Sequence, residues 1–253
     1  MFTKAIVKTP CKNMVNGLSD ANLGVPDYEL AKKQHKDYIN ALESCGLKVS
    51  ILDADEDFPD STFVEDTAIL TPKCAVITNP GDDTRKGETK AIINEIKKHY
   101  NNIEYISSEG TLDGGDVMMV GNHFYIGLSN RTNKNGAQQL INILEKYSMT
   151  GSVVELKKVL HLKTGIVYLE NNNVLASGEF LNKKEFEKFN ILKVAENEDY
   201  SANCIWVNNK VIVPKDYPKT KSIIETAGYE TIEVDMSEFC KLDGGLSCLS
   251  LRF

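Results

Sequence analysis

The chain has 253 residues, 42% apolar and 26% charged, which is ordinary for a globular protein able to bury a sizeable core. A net charge of -7 argues against polyanions, so nucleic acid and anionic membranes are excluded as expected partners. No apolar run approaches the roughly 18 residues of a membrane span, and nothing near Met1 reads as a secretory segment.

In chain order, residues 2–9 read as a short strand, followed by a polar loop containing Asn16-Gly17 and Gly24. Apolar or aromatic residues at 28, 31, 38, 39, 42 and 45, with His35 on the same face, predict a helix ended by Gly46. Residues 47–52 then predict a strand. Residues 66–70 and 74–78 predict a hairpin, followed by a helix over 86–100 and a strand over 103–106. The pattern repeats with strands at 117–120 and 123–127, a helix over 135–147 and a strand at 153–156. A third copy has strands at 164–169 and 174–176, a short helix at 183–189 and a strand at 191–194. The fourth has strands at 204–207 and 211–213, a helix at 218–227 and a strand at 231–235. Residues 248–253 have no partner left except the N-terminal strand.

Five strand-turn-strand-helix-strand units of roughly 45 residues predict one domain, a five-bladed α/β propeller closed by pairing the two chain ends. The residue just before each hairpin is Asp66, Asp116, His161, Asn203 or Cys248, at spacings of 50, 45, 42 and 45. All five are polar or reactive, at the point where each unit faces the axis. The loop Leu-Asp-Gly-Gly also occurs twice, at 112–115 and 242–245, each time ahead of an apolar strand.

A cysteine, a histidine and carboxylates meeting at one axis predict nucleophilic catalysis, with Cys248 attacking and His161 moving the proton. Asp66, Asp113 and Asp116 make the site acidic, which favours a cationic substrate; a guanidinium matches paired carboxylates through its planar N–H fork. Asp116 reads as structural, bonding neighbouring loops. The six cysteines form no Cys-x-x-Cys pair, and no Cys/His spacing suggests zinc, so reduced thiols, no metal and no cofactor are expected. Cys45, Cys74 and Cys204 sit in apolar patterns and read as core, as does His35; His99 reads as structural near a helix end.

The segments PDSTFVED (59–66), LDGGD (112–116), GLSNRTN (127–133), HLKTG (161–165) and DGGLSCLSLRF (243–253) resemble the dimethylarginine dimethylaminohydrolases. These belong to the guanidine-modifying, or pentein, superfamily, and the resemblance spans essentially the whole chain. It implies hydrolysis of methylated arginine to citrulline through a covalent thiouronium. In it Cys248 matches the nucleophile, His161 the general acid and base, and Asp113 a second acidic catalytic residue. Asp66 matches the guanidinium-binding carboxylate, Arg85 and Arg131 the clamp on the substrate α-carboxylate, and Asp60 and the Leu18 backbone the α-amino contacts. Phe63, Glu65 and the Leu242 backbone would line the site. Related arginine deiminases carry an acidic residue two positions after the histidine; Lys163 stands there, which favours N-methyl groups over free arginine. The reading implies a cytoplasmic enzyme with a small-molecule substrate, and leaves a homodimer open. Its rivals are a deiminase and a non-catalytic binder of basic amino acids.

Overall fold

The computed structural model describes residues 1–253. Its fifteen strands form five three-stranded sheets of one design. In each, two strands pair antiparallel, and a third, reached through a longer connection, joins the second in parallel. Starting at the N-terminus, β1 (Lys4–Lys8) leads through α1 (Tyr28–Ser44) to β2 (Lys48–Leu52), which pairs with β1 in parallel. Next come β3 (Ala68–Leu70), β4 (Ala75–Ile77), α2 (Thr89–Ile96) and β5 (Ile103–Tyr105). They are followed by β6 (Val117–Val120), β7 (His123–Leu128), α3 (Lys134–Lys146) and β8 (Thr150–Glu155). A one-turn helix, α4 (Leu162–Gly165), precedes β9 (Ile166–Tyr168), β10 (Asn173–Ala176) and β11 (Asn190–Lys193). The last complete set is β12 (Ile205–Val207), β13 (Lys210–Pro214), α5 (Pro218–Thr226) and β14 (Glu230–Val234). After α6 (Ser237–Cys240), β15 (Leu251–Arg252) pairs antiparallel with β1, matching Ala5 with Arg252. The chain ends thus complete the first sheet and close the ring.

Local chemistry explains the elements. The side chains of Asp27 and Asn133 accept from the backbone N–H of Leu30 and Gly136, capping α1 and α3. Pro218 starts α5, where its missing N–H costs nothing. The middle strand of each sheet is rich in Val, Ile, Leu and Phe and is almost wholly buried, because it is covered on both faces. Each of the longer helices buries one apolar stripe. Ala137, Leu140, Ile143 and Leu144 of α3, for example, pack with Phe124 and Ile126 of β7. Cys45, Cys74, Cys204 and His35 are all buried in such cores. No helix is long and apolar enough to cross a membrane.

Three expectations need correction. The third unit has no α-helix over 183–189; two 3-10 turns, Gly178–Asn182 and Lys184–Phe186, replace it. Phe180, Phe186 and Phe189 must all turn inward within a few residues, and a segment that short gains little from helix nucleation. The second unit's helix is shorter than expected, with a 3-10 turn (Asp83–Glu88) before α2, because Arg85 and Glu88 are drawn into the interior. Finally, the hairpins do not begin at Asp66, Thr164 and Cys248. Single helical turns stand there instead (Val64–Thr67, α4 and Ser247–Leu249), and β3, β9 and β15 start beyond them. Those turns bend the chain so that the register residues point across the axis rather than along a strand.

Candidate active site

All five register residues lie ahead of the first strand of their unit, with a helical turn between in several, and their side chains link neighbouring units. Asp66 Oδ1 accepts the backbone N–H of Gly115 at 2.8 Å. Asp116 Oδ1 accepts that of Leu162 at 2.9 Å, and Asn203 Oδ1 that of Ser247 at 2.9 Å. Asp116 also takes the Ser129 hydroxyl at 2.6 Å and is completely buried, in keeping with a structural role. The double glycines are required by these approaches. A Cβ at Gly115 would lie 2.8 Å from His161 Nδ1, and one at Gly245 would overlap the Asn203 amide.

The two reactive side chains share one cavity of about 190 Å³. Its walls include Cys248, His161, Asp66, Asp60, Arg85, Arg131, Phe63, Leu18 and Leu242. Eleven residues carried the expected site, and nine of them line this space. Asp113 stands behind the wall, fully buried, with Oδ2 at 3.1 Å from His161 Nε2 and Oδ1 accepting the Gly81 N–H. Glu65 is the exception. It turns away from the cavity, to Lys163 Nζ at 2.6 Å and the Ser247 hydroxyl at 2.8 Å. Neighbours in a tight turn point to different sides, so Asp66 faces one cavity while Glu65 faces another. That second space, about 150 Å³, runs between the first strands of all five units, and Lys163, Glu65, Ser247 and Arg252 are among its lining residues. Lys163 therefore does not touch the Cys248 cavity either.

The charges are tightly organised. Burial opposes a charge on His161, but Asp66, Asp116 and Asp113 together outweigh it and raise its pKa to about 9. Burial likewise opposes ionisation of Asp66, yet His161 and Arg85 hold it down at about 2. Burial first, then Glu65 and Asp66, push the Cys248 thiol up to about 12, only partly countered by the Gly245 N–H at 3.4 Å. The resting site is thus a neutral thiol beside an imidazolium. Arg85 is almost fully committed: Nε and Nη2 bond Glu88, Nη2 also bonds the Phe63 carbonyl, and Nη1 bonds Asp66 at 2.6 Å. One Nη1–H is left over. Arg131 differs. Its Nη1 lies 3.1 Å from Asp82 Oδ2 but outside hydrogen-bonding geometry, leaving a buried donor without a partner at the cavity wall.

The loop bearing Leu18 is latched over the opening. Leu18 N donates to both Asp60 oxygens at 3.1 and 3.2 Å, Ser19 Oγ to the Lys241 carbonyl, and Asp20 N to Asp243 Oδ2. Asp243, at φ 56, and Leu160 also line the cavity, and reading the sequence found neither. Their signal was adjacency to the second double glycine and to His161. Asp66, Asp113 and His161 present ligand atoms within 4.8 Å of one another, a set that could hold a metal ion. Here those atoms are bound to Arg85, Gly115, Gly81 and each other.

A family model described as N,N dimethylarginine dimethylhydrolase, eukaryotic, matches residues 27–249. The N(G),N(G)-dimethylarginine dimethylaminohydrolase of Pseudomonas aeruginosa is 54% identical over 254 residues, covering 100% of both chains. A solved structure of that organism's enzyme, a Cys→Ser mutant complexed with citrulline, superposes with a TM-score of 0.99 at 53% identity and covers 100% of each chain. A further dimethylarginine dimethylaminohydrolase structure, a His→Gly variant forming an adduct with S-methyl-L-thiocitrulline, has the same TM-score of 0.99, identity of 53% and coverage of 100%.

Proposed function

The chain belongs to the N(G),N(G)-dimethylarginine dimethylaminohydrolase family, and we propose that residues 1–253 form one catalytic unit hydrolysing asymmetric dimethylarginine and monomethylarginine to citrulline and the amine. The observation that carries this reading is the shared cavity, in which a thiol, an imidazolium and the Asp66 carboxylate face one space.

The chemistry follows from the resting charges. Asp66 still has lone pairs beyond those given to Arg85 and Gly115, and accepts the substrate guanidinium. The incoming cation offsets the field of Glu65 and Asp66 at Cys248, so the thiol ionises once substrate is bound and its proton leaves to solvent. The thiolate attacks the central guanidinium carbon. His161 gives its proton to the departing dimethylamine, and the C–N bond breaks to leave an S-alkyl thiouronium. Water then adds to the same carbon and gives one proton to the now neutral His161. The C–S bond breaks, the hydroxyl proton is lost to solvent as the citrulline carbonyl forms, and the departing thiolate takes up a proton to restore the resting thiol. Asp113 holds the imidazole in line for both transfers.

Arg131 takes the substrate α-carboxylate with its unpartnered donor, helped by the one remaining N–H of Arg85. Asp60 and the Leu18 backbone receive the α-amino end, while Phe63, fixed edge-on against Phe239 at 6.2 Å, gives the cavity an apolar side for methyl groups. Glu65 acts on the thiol by its charge and through Ser247, not on the substrate. Position 163, where the resemblance places a carboxylate in the deiminases, is a lysine here, and it faces the other cavity.

Product analysis tests the reading. Purified protein is offered arginine and asymmetric dimethylarginine separately, with Cys248→Ser as control. Citrulline and dimethylamine from the methylated substrate alone, and none from the variant, is the expected result. Citrulline and ammonia from arginine would make it a deiminase, and tight binding without turnover of either would make it a receptor.

A further inference from the structure

Asn203, like Asp116, is a register residue to which the mechanism gives no task, and its surroundings fix which way its amide points. It is 7% exposed. Oδ1 accepts the Ser247 backbone N–H at 2.9 Å, and a backbone N–H can only donate, so the oxygen end must face Ser247. The NH2 end is thereby turned to Cys248, with Nδ2 at 4.0 Å from Sγ. Gly245 completes the cradle. Its N–H points at Sγ at 3.4 Å, and its missing side chain is what lets the Asn203 amide lie against the loop.

We propose that Asn203 is a positioning residue for the nucleophile, its side-chain NH2 and the Gly245 N–H together forming a two-donor cradle for the Cys248 thiolate. The site is otherwise hostile to that anion, because the negative charges of Asp66, in the cavity, and of Glu65, turned to the second space, both oppose it. Tyr200 is also close to the thiol, and its hydroxyl is turned to the Gly244 carbonyl at 2.8 Å. His161, Arg85 and Arg131, on the same cavity, are the cations of the site, and each has a carboxylate within 3.1 Å. Neutral N–H groups aimed at the sulfur are therefore the fixed stabilisation the fold supplies before substrate arrives. A distance of 4.0 Å is loose for a neutral thiol and shortens as the sulfur gains charge. The inference rests on the assignment of Cys248 as nucleophile, but not on which guanidine is the substrate.

The test is the pH dependence of Cys248 alkylation by iodoacetamide, read by mass spectrometry of the modified residue in wild type, Asn203→Asp and Asn203→Ala. Asn203→Asp keeps the oxygen for Ser247 and loses the donor; Asn203→Ala loses the donor without adding charge. We expect the alkylation midpoint to rise in both, more in Asn203→Asp, with kcat reduced at least about tenfold and KM little changed. A wild-type midpoint in Asn203→Ala would overturn the proposal, whatever Asn203→Asp does, since charge alone would explain the latter. The wild-type protein gives the same answer if either variant fails to fold. The Asn203 side-chain amide resonances in a nitrogen-15 spectrum should move as Cys248 ionises, and resonances that stay fixed would refute the cradle. Because alkylation needs no substrate, failure here is distinct from failure of the methylarginine assignment, which the product analysis reads.

Discussion

Arg85 and Arg131 carry the same charge in the same cavity, yet their partners make them opposite experiments. Arg131 has an unpartnered donor, so Arg131→Ala should weaken substrate binding by about 1.5–3 kcal/mol, a charged hydrogen bond, with the melting temperature nearly unchanged. Arg85→Ala would strand Glu88 and Asp66, both buried, and should cost about 3–5 kcal/mol of stability, read by denaturant unfolding. Asp113 lends itself to a pH experiment. The Gly81 N–H holds its Oδ1, so in Asp113→Asn the amide NH2 would face His161 Nε2, donor against donor. His161 is raised from 6.5 to about 9, so its contribution to stability is full below pH 6.5 and is lost as pH rises through about 9. In wild type the alkaline limb of kcat/KM should fall near the same pH, where the general acid is lost. In Asp113→Asn that limb should move to lower pH and kcat should drop by roughly 10²–10⁴. An unmoved limb would show that Asp113 does not govern the histidine.

At the scale of the element, the recurring Leu-Asp-Gly-Gly loop sets the site's geometry, because each glycine admits a group from another unit. The adjacent pair Gly114 and Gly115 separates stability from catalysis. A Cβ at Gly114 would meet the Glu65 backbone carbonyl, which cannot move without disturbing the turn. Gly114→Ala should therefore cost about 1–3 kcal/mol, seen as a lower melting temperature. A Cβ at Gly115 would instead meet two side chains, the His161 ring at 2.8 Å and Asp66 Oδ1 at 3.0 Å, both able to shift. Gly115→Ala should keep most of the stability and lose about 10²-fold in kcat, the scale of a misplaced catalytic group. Equal stability losses in the two variants, with kcat intact in Gly115→Ala, would contradict this division.

At the scale of the whole molecule, the ring is held shut by a few bonds at the chain ends. The Phe253 carbonyl accepts from Thr3 and Lys4 N–H at 2.9 and 2.8 Å, Phe253 N donates to Lys4 at 3.0 Å, and the ring packs on His99 and Tyr100. Deleting Phe253 should cost about 2–4 kcal/mol from lost burial and hydrogen bonds. The nucleophile lies five residues upstream on the same segment, so activity should fall along with thermal stability, and substrate should recover part of it by binding the closed ring. A truncated protein with wild-type melting temperature would mean that closure rests elsewhere.

Much of this was legible in the sequence because the architecture is written five times. A period of about 45 residues, alternating hydrophobic strands and one polar residue ahead of each hairpin located Asp66, Asp116, His161, Asn203 and Cys248 in register, and the motifs around them pointed to the chemistry. Those signals are local, carried by spacing along the chain. What the sequence could not decide was direction across the axis. Glu65 and Asp66 are neighbours, yet one faces Lys163 and the other Arg85, because a single helical turn sends successive side chains to different cavities. In the same way Arg85 proved to be held by Glu88 and Asp66, the Asn203 amide to be turned by a backbone N–H forty-four residues away, and the third unit's helix to be two 3-10 turns around an aromatic cluster. Each of these depends on what a distant segment places opposite, a matter of packing and burial that exists only once the ring has closed.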